Sequence, residues 1–254
     1  MASTPSPASS PIFIDAESLR ATLSHSSLIQ HFQTSLPAVA ATLHTPIRQS
    51  YAVSPTSNLL LMPSWSTSPS SSLPYIGVKL VTHFPQNSHL HSLPGIHASY
   101  VLFSSATGQT LATMDGTLLT LYRTSCVSGL ASKLLARPGL REVIIWNRTQ
   151  SKAAELAEKL NYEENMRECD DAALRRAGAV FADNEAALVE AGELVGGFER
   201  GVIEKGEVGL LVELIKGERA GRKDCDEITV FKSVGSAVVD MLAAQFAYEA
   251  RARK

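Results

Sequence analysis

The sequence predicts a mixed α/β (α+β) chain: an antiparallel sheet in the N-terminal half, then strand–helix units. Three observations lead there. Apolar residues recur with period two between residues 47 and 120, in short runs separated by turn residues. Beyond residue 120 the period lengthens to that of helices, with single strands between them. Apolar residues make up 44% of the 254-residue chain and charged residues 19%, enough to build a buried core.

The elements follow in order. The opening tract, MASTPSPASSP, is rich in Ser, Pro and Ala and reads as a disordered tail over residues 1–11. Ile12–Ile14 reads as a strand, and residues 16–45 carry helical spacing through Leu19, Leu23, Leu28, Ile29 and Phe32. Strand-like runs follow at Leu59–Met62, Ile76–Phe84, His97–Phe103 and Thr110–Met114. Pro63, the Ser/Pro-rich stretch 66–74, Asn87, Thr107-Gly108 and Asp115-Gly116 supply the turn chemistry between them. Several short strands with close turns imply antiparallel pairing. Val127, Leu130, Ala131, Leu134 and Leu135 then predict a helix capped by Thr124 or Ser125 and ended by Pro138-Gly139. Glu142–Trp146 predicts a strand, followed by a helix to about Leu160. A helix at 171–177, a strand at Val180–Asp183, a glycine-broken helical stretch at 185–215, a strand at Ile228–Phe231 and a helix at 236–250 complete the chain.

Composition excludes several classes of function. The formal net charge is −2, so no basic field is present to hold nucleic acid. No apolar run approaches the roughly 18 residues of a membrane span. Cys126, Cys169 and Cys225 are odd in number and form no C-x-x-C pair, which argues against a disulfide framework and a zinc site. His83, His89, His91 and His97 lack metal-ligand spacing, so no metal is expected. A reducing compartment, cytoplasm or plastid, fits this cysteine usage, and the tail lacks the pattern of a secretory signal.

Seven stretches carry a family resemblance: PIRQSY at 46–51, LLLMPSW at 59–65, GVKLVTHFP at 77–85, the long run from LPGIHASY to LYRTSCVSGLASKLLAR at 93–137, VIIWNRT at 143–149, MRECDDAALRRA at 166–177 and DEITVFKSVG at 226–235. Together they resemble the ornithine cyclodeaminase/mu-crystallin family, in detail its plant ketimine reductases. The resemblance implies a substrate-binding and dimerisation domain, here 12–130 with 221–254. It also implies an inserted Rossmann-type domain for NAD(P)H, here 131–220. That second domain is truncated in this sequence. The family's Gly-rich turn belongs between the RTSCVSGLASKLLAR helix and the VIIWNRT strand, yet Arg137 runs straight into Pro138-Gly139-Leu140, and the chain contains no G-x-G-x-x-G. A second gap falls between Leu160 and Met166. With about 30 residues per βαβ unit, residues 138 to about 190 cannot hold two βαβαβ halves.

The resemblance places Lys79 as catalytic residue and Arg48 and Arg123 as substrate-binding cations. The residue types suit the task, since a guanidinium can clamp a carboxylate with two parallel hydrogen bonds. Lys79 faces opposite to Val78 and Leu80 and is expected to point into a polar cleft while they pack. Taken alone, a lysine in a strand or an arginine before a helix is ordinarily a solvated surface charge. The motif around each one carries the functional reading. Thr124 stands where the family brings a hydroxyl to the nicotinamide end of the cofactor. Asn147, Arg148 and Thr149 end the VIIW strand, where the lack of an acid and the presence of Arg148 favour NADPH over NADH. Met62 in LLLMP suits a cyclic ketimine better than the ammonium of ornithine.

The activity implied is reduction of a cyclic ketimine, Δ1-piperideine-2-carboxylate to pipecolate in lysine metabolism. The partners implied are a small cyclic imino acid and a second chain, in a homodimer or a heterodimer with a full-length homologue. Loss of the Gly-rich loop counts against cofactor binding and activity. Ornithine cyclodeamination and a non-catalytic dimer partner are the alternatives.

Overall fold

The computed structural model describes residues 10–67, 73–90, 92–139 and 169–252. The expected strand at 142–146, its following helix and the cofactor residues Asn147, Arg148 and Thr149 lie outside the described residues.

In chain order the elements are β1 (Ile12–Ile14), α1 (Ala16–Thr22), α2 (His25–Val39), β2 (Leu43–His44), β3 (Gln49–Ser54), β4 (Ser57–Ser66), β5 (Tyr75–His83), α3 (Asn87–Leu90), β6 (Ile96–Ser104), β7 (Thr110–Asp115) and α4 (Gly116–Leu135). Then come α5 (Asp171–Arg176), β8 (Ala177–Ala182), α6 (Ala187–Glu190), α7 (Gly192–Glu199), β9 (Val208–Leu210), α8 (Leu211–Lys216), β10 (Ile228–Lys232) and α9 (Ala237–Ala252). They form two compact units. Of the described residues, the first holds those within 1–23, 42–119 and 240–254, and the second those within 24–41 and 120–239.

The first unit is built on a seven-stranded sheet in the order β1-β7-β6-β5-β4-β2, with β3 also paired to β4. Only β1 and β7 run parallel; the other pairs are antiparallel. β2 and β3 take successive stretches of the β4 edge, opposite Trp65–Ser66 and Ser57–Leu61 respectively. The period-two pattern read from the sequence becomes rows across the pleat, because alternate side chains share a face. One inward row runs Met62, Lys79, Tyr100, Met114, Ile14; the next runs Ser64, Gly77, Leu102, Ala112. All nine residues are buried. The helix α1 is capped by Asp15, whose Oδ1 accepts from Ser18 N at 2.8 Å. A second cap, Ser24, starts α2, so the single helical stretch expected over 16–45 is two helices.

The second unit carries a three-stranded parallel sheet, β10-β8-β9. Its core gathers Leu174, Val180, Ala182, Ala187, Ala191, Leu194, Ile203 and Val208. α6 and α7 connect β8 to β9, the crossover that a parallel neighbour requires. Strand β9 was not expected; it interrupts the stretch 185–215 read as helical.

The α4 boundary also corrects the sequence reading. Asp115 Oδ1 accepts from Leu118 N at 2.8 Å and so caps the helix. The helix therefore starts at Gly116, one residue after a strand, and Thr124 and Ser125 are interior to it rather than caps. Asp115-Gly116 is a strand-to-helix junction, where an N-cap aspartate is also the residue a turn would favour.

Candidate active site

Lys79 sits on β5 between Met62 on β4 and Tyr100 on β6. It does alternate with Val78 and Leu80, but the faces are the reverse of the expected ones: Lys79 is buried and its two neighbours are half-buried. The reason is α9, which supplies a partner. Lys79 Nζ lies 2.7 Å from Asp240 Oδ2, with the two side chains 3% and 0% exposed. A buried ammonium persists only with such a partner, since its desolvation costs several kcal/mol. Tyr100 is fully buried beside this pair. Burial pushes its phenol well above the ordinary tyrosine range, the Asp240 carboxylate adds to that, and Ser64 acts in the opposite sense. Gly77 is glycine for space, because a Cβ there would lie 1.9 Å from Tyr100 Oη. At the far end of α9, Tyr75 donates to Glu249 Oε1 at 3.2 Å and packs edge-on against Tyr248.

Arg48 lies half-buried in the connection from β2 to β3, in the same unit as Lys79. Arg123 and Thr124 belong to the second unit, on α4. Arg123 is 6% exposed and its guanidinium lies over Gly235, whose φ is +82° and where a Cβ would meet Nη1 at 2.7 Å. Near it stands Asp183, at the carboxyl end of β8. The Asp183 carboxylate accepts from Ser233 Oγ at 2.6 Å, Gly235 N at 2.9 Å and Val234 N at 3.3 Å. Burial raises the Asp183 carboxyl above the usual range, while these three hydrogen bonds and the charge of Arg123 pull it back. Asp183 thereby ties together the loops that leave β8 and β10, the ends at which parallel sheets bind ligands. A second buried pair, Lys232 Nζ to Glu193 Oε1 at 3.0 Å, joins β10 to α7.

Asp240, Tyr100 and Asp183 were missed in the sequence. One signal for Asp240 was present: an acid inside the apolar stretch Ala237–Ala244, which a helix can bury only against a cation. Asp183 was read only as a strand end.

The fit to a dinucleotide is partial. Thr124 Oγ1 is buried and has no hydrogen-bond partner among the described residues, so a hydroxyl remains to meet a polar group. A pyrophosphate needs backbone N–H groups at a Gly-rich turn or helix N-terminus. At the end of β10 the amides of Val234 and Gly235 are already given to Asp183. The described residues do not form a pyrophosphate cradle. No group of three or more His, Cys, Asp or Glu among them could hold a metal ion. No helix among them is long and apolar enough to cross a membrane.

A mixed α/β chain with a largely antiparallel sheet and a buried lysine is the class these observations define. The sequence profile of the ornithine cyclodeaminase/mu-crystallin family matches residues 11–163 and 162–254, and the chain belongs to that family. It is 48% identical to Protein SAR DEFICIENT 4 of Arabidopsis thaliana, over 94% of this chain and 97% of that protein. It is 28% identical to a Δ1-pyrroline-2-carboxylate reductase of Colwellia psychrerythraea, over 93% and 98%. Among solved structures, the Δ1-pyrroline-2-carboxylate reductase of Thermococcus litoralis, in complex with NADH and L-proline, superposes with a TM-score of 0.80 at 23% identity, covering 95% of this chain and 98% of that one. The alignment with the Arabidopsis protein spans 319 positions, whereas this chain has 254 residues, so it opens gaps here.

Proposed function

We propose that this chain is a ketimine reductase of its family whose substrate half is kept and whose cofactor half is cut short. Its substrate is a cyclic ketimine carboxylate of the Δ1-piperideine-2-carboxylate type, and the product is the saturated amino acid, pipecolate. The observation that carries this reading is Lys79: a buried cation held in the central strand, in an inward row otherwise made of Met62, Tyr100, Met114 and Ile14. Lys79 is assigned to the imine side of the substrate, Arg48 and Arg123 to its carboxylate. A protonated C=N bond is the better electrophile, so a fixed ammonium nearby can donate to the imine nitrogen. Met62, directly across from Lys79, is buried and apolar. It offers no acceptor to a second ammonium, which favours a ketimine over ornithine as ligand.

A nicotinamide cofactor, NADPH by the Asn147-Arg148-Thr149 reading, would supply the hydride when bound. The missing Gly-rich turn weakens its binding, and Thr124 is the residue left to meet its nicotinamide end. The gapped alignment favours a second role as well: a chain that pairs with a full-length homologue, or with its own copy, and lowers the activity of the dimer.

The test is titration of the purified chain with NADPH, read by quenching of Trp65 and Trp146 and energy transfer to the nicotinamide. It is followed by an assay with Δ1-piperideine-2-carboxylate. Weak binding with slow turnover that Lys79→Met abolishes is the expected result. Turnover at the level of a full-length relative would refute the impairment. Turnover unchanged in Lys79→Met would refute the site.

A further inference from the structure

Resting on that reading of Lys79, we propose that Asp240 is the residue that positions it: a carboxylate on the C-terminal helix that fixes the ammonium of a central strand in one place. Stability alone does not ask for this pair. Lys79 occupies an inward row whose other members are Met62, Tyr100, Met114 and Ile14. An apolar side chain would continue that row, and replacing a buried ion pair by packed apolar groups is often neutral or stabilising. The charge is kept against that gradient.

The geometry suits positioning. Asp240 Oδ2 holds Lys79 Nζ at 2.7 Å, and neither side chain is more than 3% exposed. The polar side chains buried in this unit include Ser64, Lys79, Tyr100 and Asp240. Gly77 stays without a Cβ because Tyr100 Oη occupies that space. Lysine is a flexible four-carbon stem with a point charge. A carboxylate anchored on a helix removes that freedom before substrate arrives, so less is lost on binding. Asp240 touches neither substrate nor cofactor in this account; it acts through Lys79.

The experiment uses the full chain carrying 15N-labelled lysine side chains. In wild type, two ammonium resonances protected from exchange are expected, from Lys79 and from Lys232 in its pair with Glu193, and that of Lys79 is assigned by its loss in Lys79→Met. Asp240→Asn should abolish the Lys79 resonance and leave that of Lys232. Tyr100→Phe, a change in the same buried surroundings, should keep both, so general loosening is told apart from loss of the anchor. Should Asp240→Asn fail to fold, Asp240→Glu keeps the carboxylate one methylene further out and should retain a shifted resonance. Calorimetry with L-pipecolate is the second readout. Asp240→Asn should weaken binding about tenfold, the scale of one charge-assisted hydrogen bond. A protected Lys79 resonance that survives in Asp240→Asn, or unchanged pipecolate binding in that variant, overturns the positioning role. Pipecolate binding that is absent in wild type, or unchanged in Lys79→Met, overturns the functional reading instead. The resonance then decides alone whether Asp240 holds Lys79.

Discussion

Replacing Gly77 by alanine tests the packing beneath the site most directly. The added Cβ would stand 1.9 Å from Tyr100 Oη, 2.7 Å from Cζ and 3.1 Å from Cε1. A carbon and an oxygen in contact need about 3.4 Å, so something must move by roughly one and a half ångströms. Tyr100 cannot swing aside freely, because its side chain is fully buried. Forcing a methyl group into such a space costs about 1–3 kcal/mol. In a chain of this size that lowers the Tm by about 2–4 °C per kcal/mol. Tyr100→Phe alone removes a buried hydroxyl and costs about 1 kcal/mol. The double variant separates the two effects, because the phenylalanine ring lacks the atom at 1.9 Å and leaves the ring carbons at 2.7 Å and 3.1 Å. Its destabilisation should fall short of the sum of the singles by about 1 kcal/mol or more. The assay is urea unfolding followed by far-ultraviolet circular dichroism. Strict additivity, or a Gly77→Ala variant as stable as wild type, refutes the account.

Three further outcomes are expected. Gly235→Ala should destabilise by about 1–3 kcal/mol, because φ is +82° and the new Cβ meets the Arg123 guanidinium at 2.7 Å; a neutral result in thermal melts contradicts this. Truncating one side of the Lys232–Glu193 pair, as in Glu193→Ala, should cost about 3–5 kcal/mol by leaving a buried charge, while Lys232→Met with Glu193→Leu should recover most of it. An equally unstable double variant in urea melts would show that the loss came from packing. The Cys126 thiol is pushed up from 9.0 to about 11 by burial, against a smaller opposing effect of Ser125. A thiol that holds its proton more tightly when folded contributes stability that is intact below pH 9.0 and is lost as the pH climbs through about 11. At pH 8 iodoacetamide should therefore modify exposed Cys225 long before Cys126, and equal rates by mass spectrometry would contradict the burial.

Much of the sheet was legible because its inward face alternates. Every strand-like run read between 59 and 114 matches one of β4 to β7. β3 was overlooked because all six of its residues are exposed and show no apolar alternation. β9 was overlooked because three residues in a glycine-broken stretch are too few to show a period. The start of α4 was misplaced because one aspartate can end a strand, open a turn or cap a helix, and only the hydrogen bond to Leu118 N decides. The motif around Lys79 singled out the residue, but periodicity could not say which face of β5 meets a helix. Nor could it pair Lys79 with an acid near the other end of the chain. That information lives in tertiary contact, which overrides local pattern.

The pairing of Lys79 with Asp240 has a consequence for how the protein is made. Chains emerge from the ribosome N-terminal end first, and domains begin to fold during synthesis. The sheet can therefore assemble while α9 is still untranslated, with a bare cation on the face destined for its interior. Its counter-charge arrives only when Asp240, far later in the sequence, has been synthesised. A chain stopped short of Asp240 would carry a nearly complete sheet around an unneutralised ammonium, a species for chaperones and proteases to sort. Helix α9 thus closes the first unit only once the chain has been made as far as Asp240.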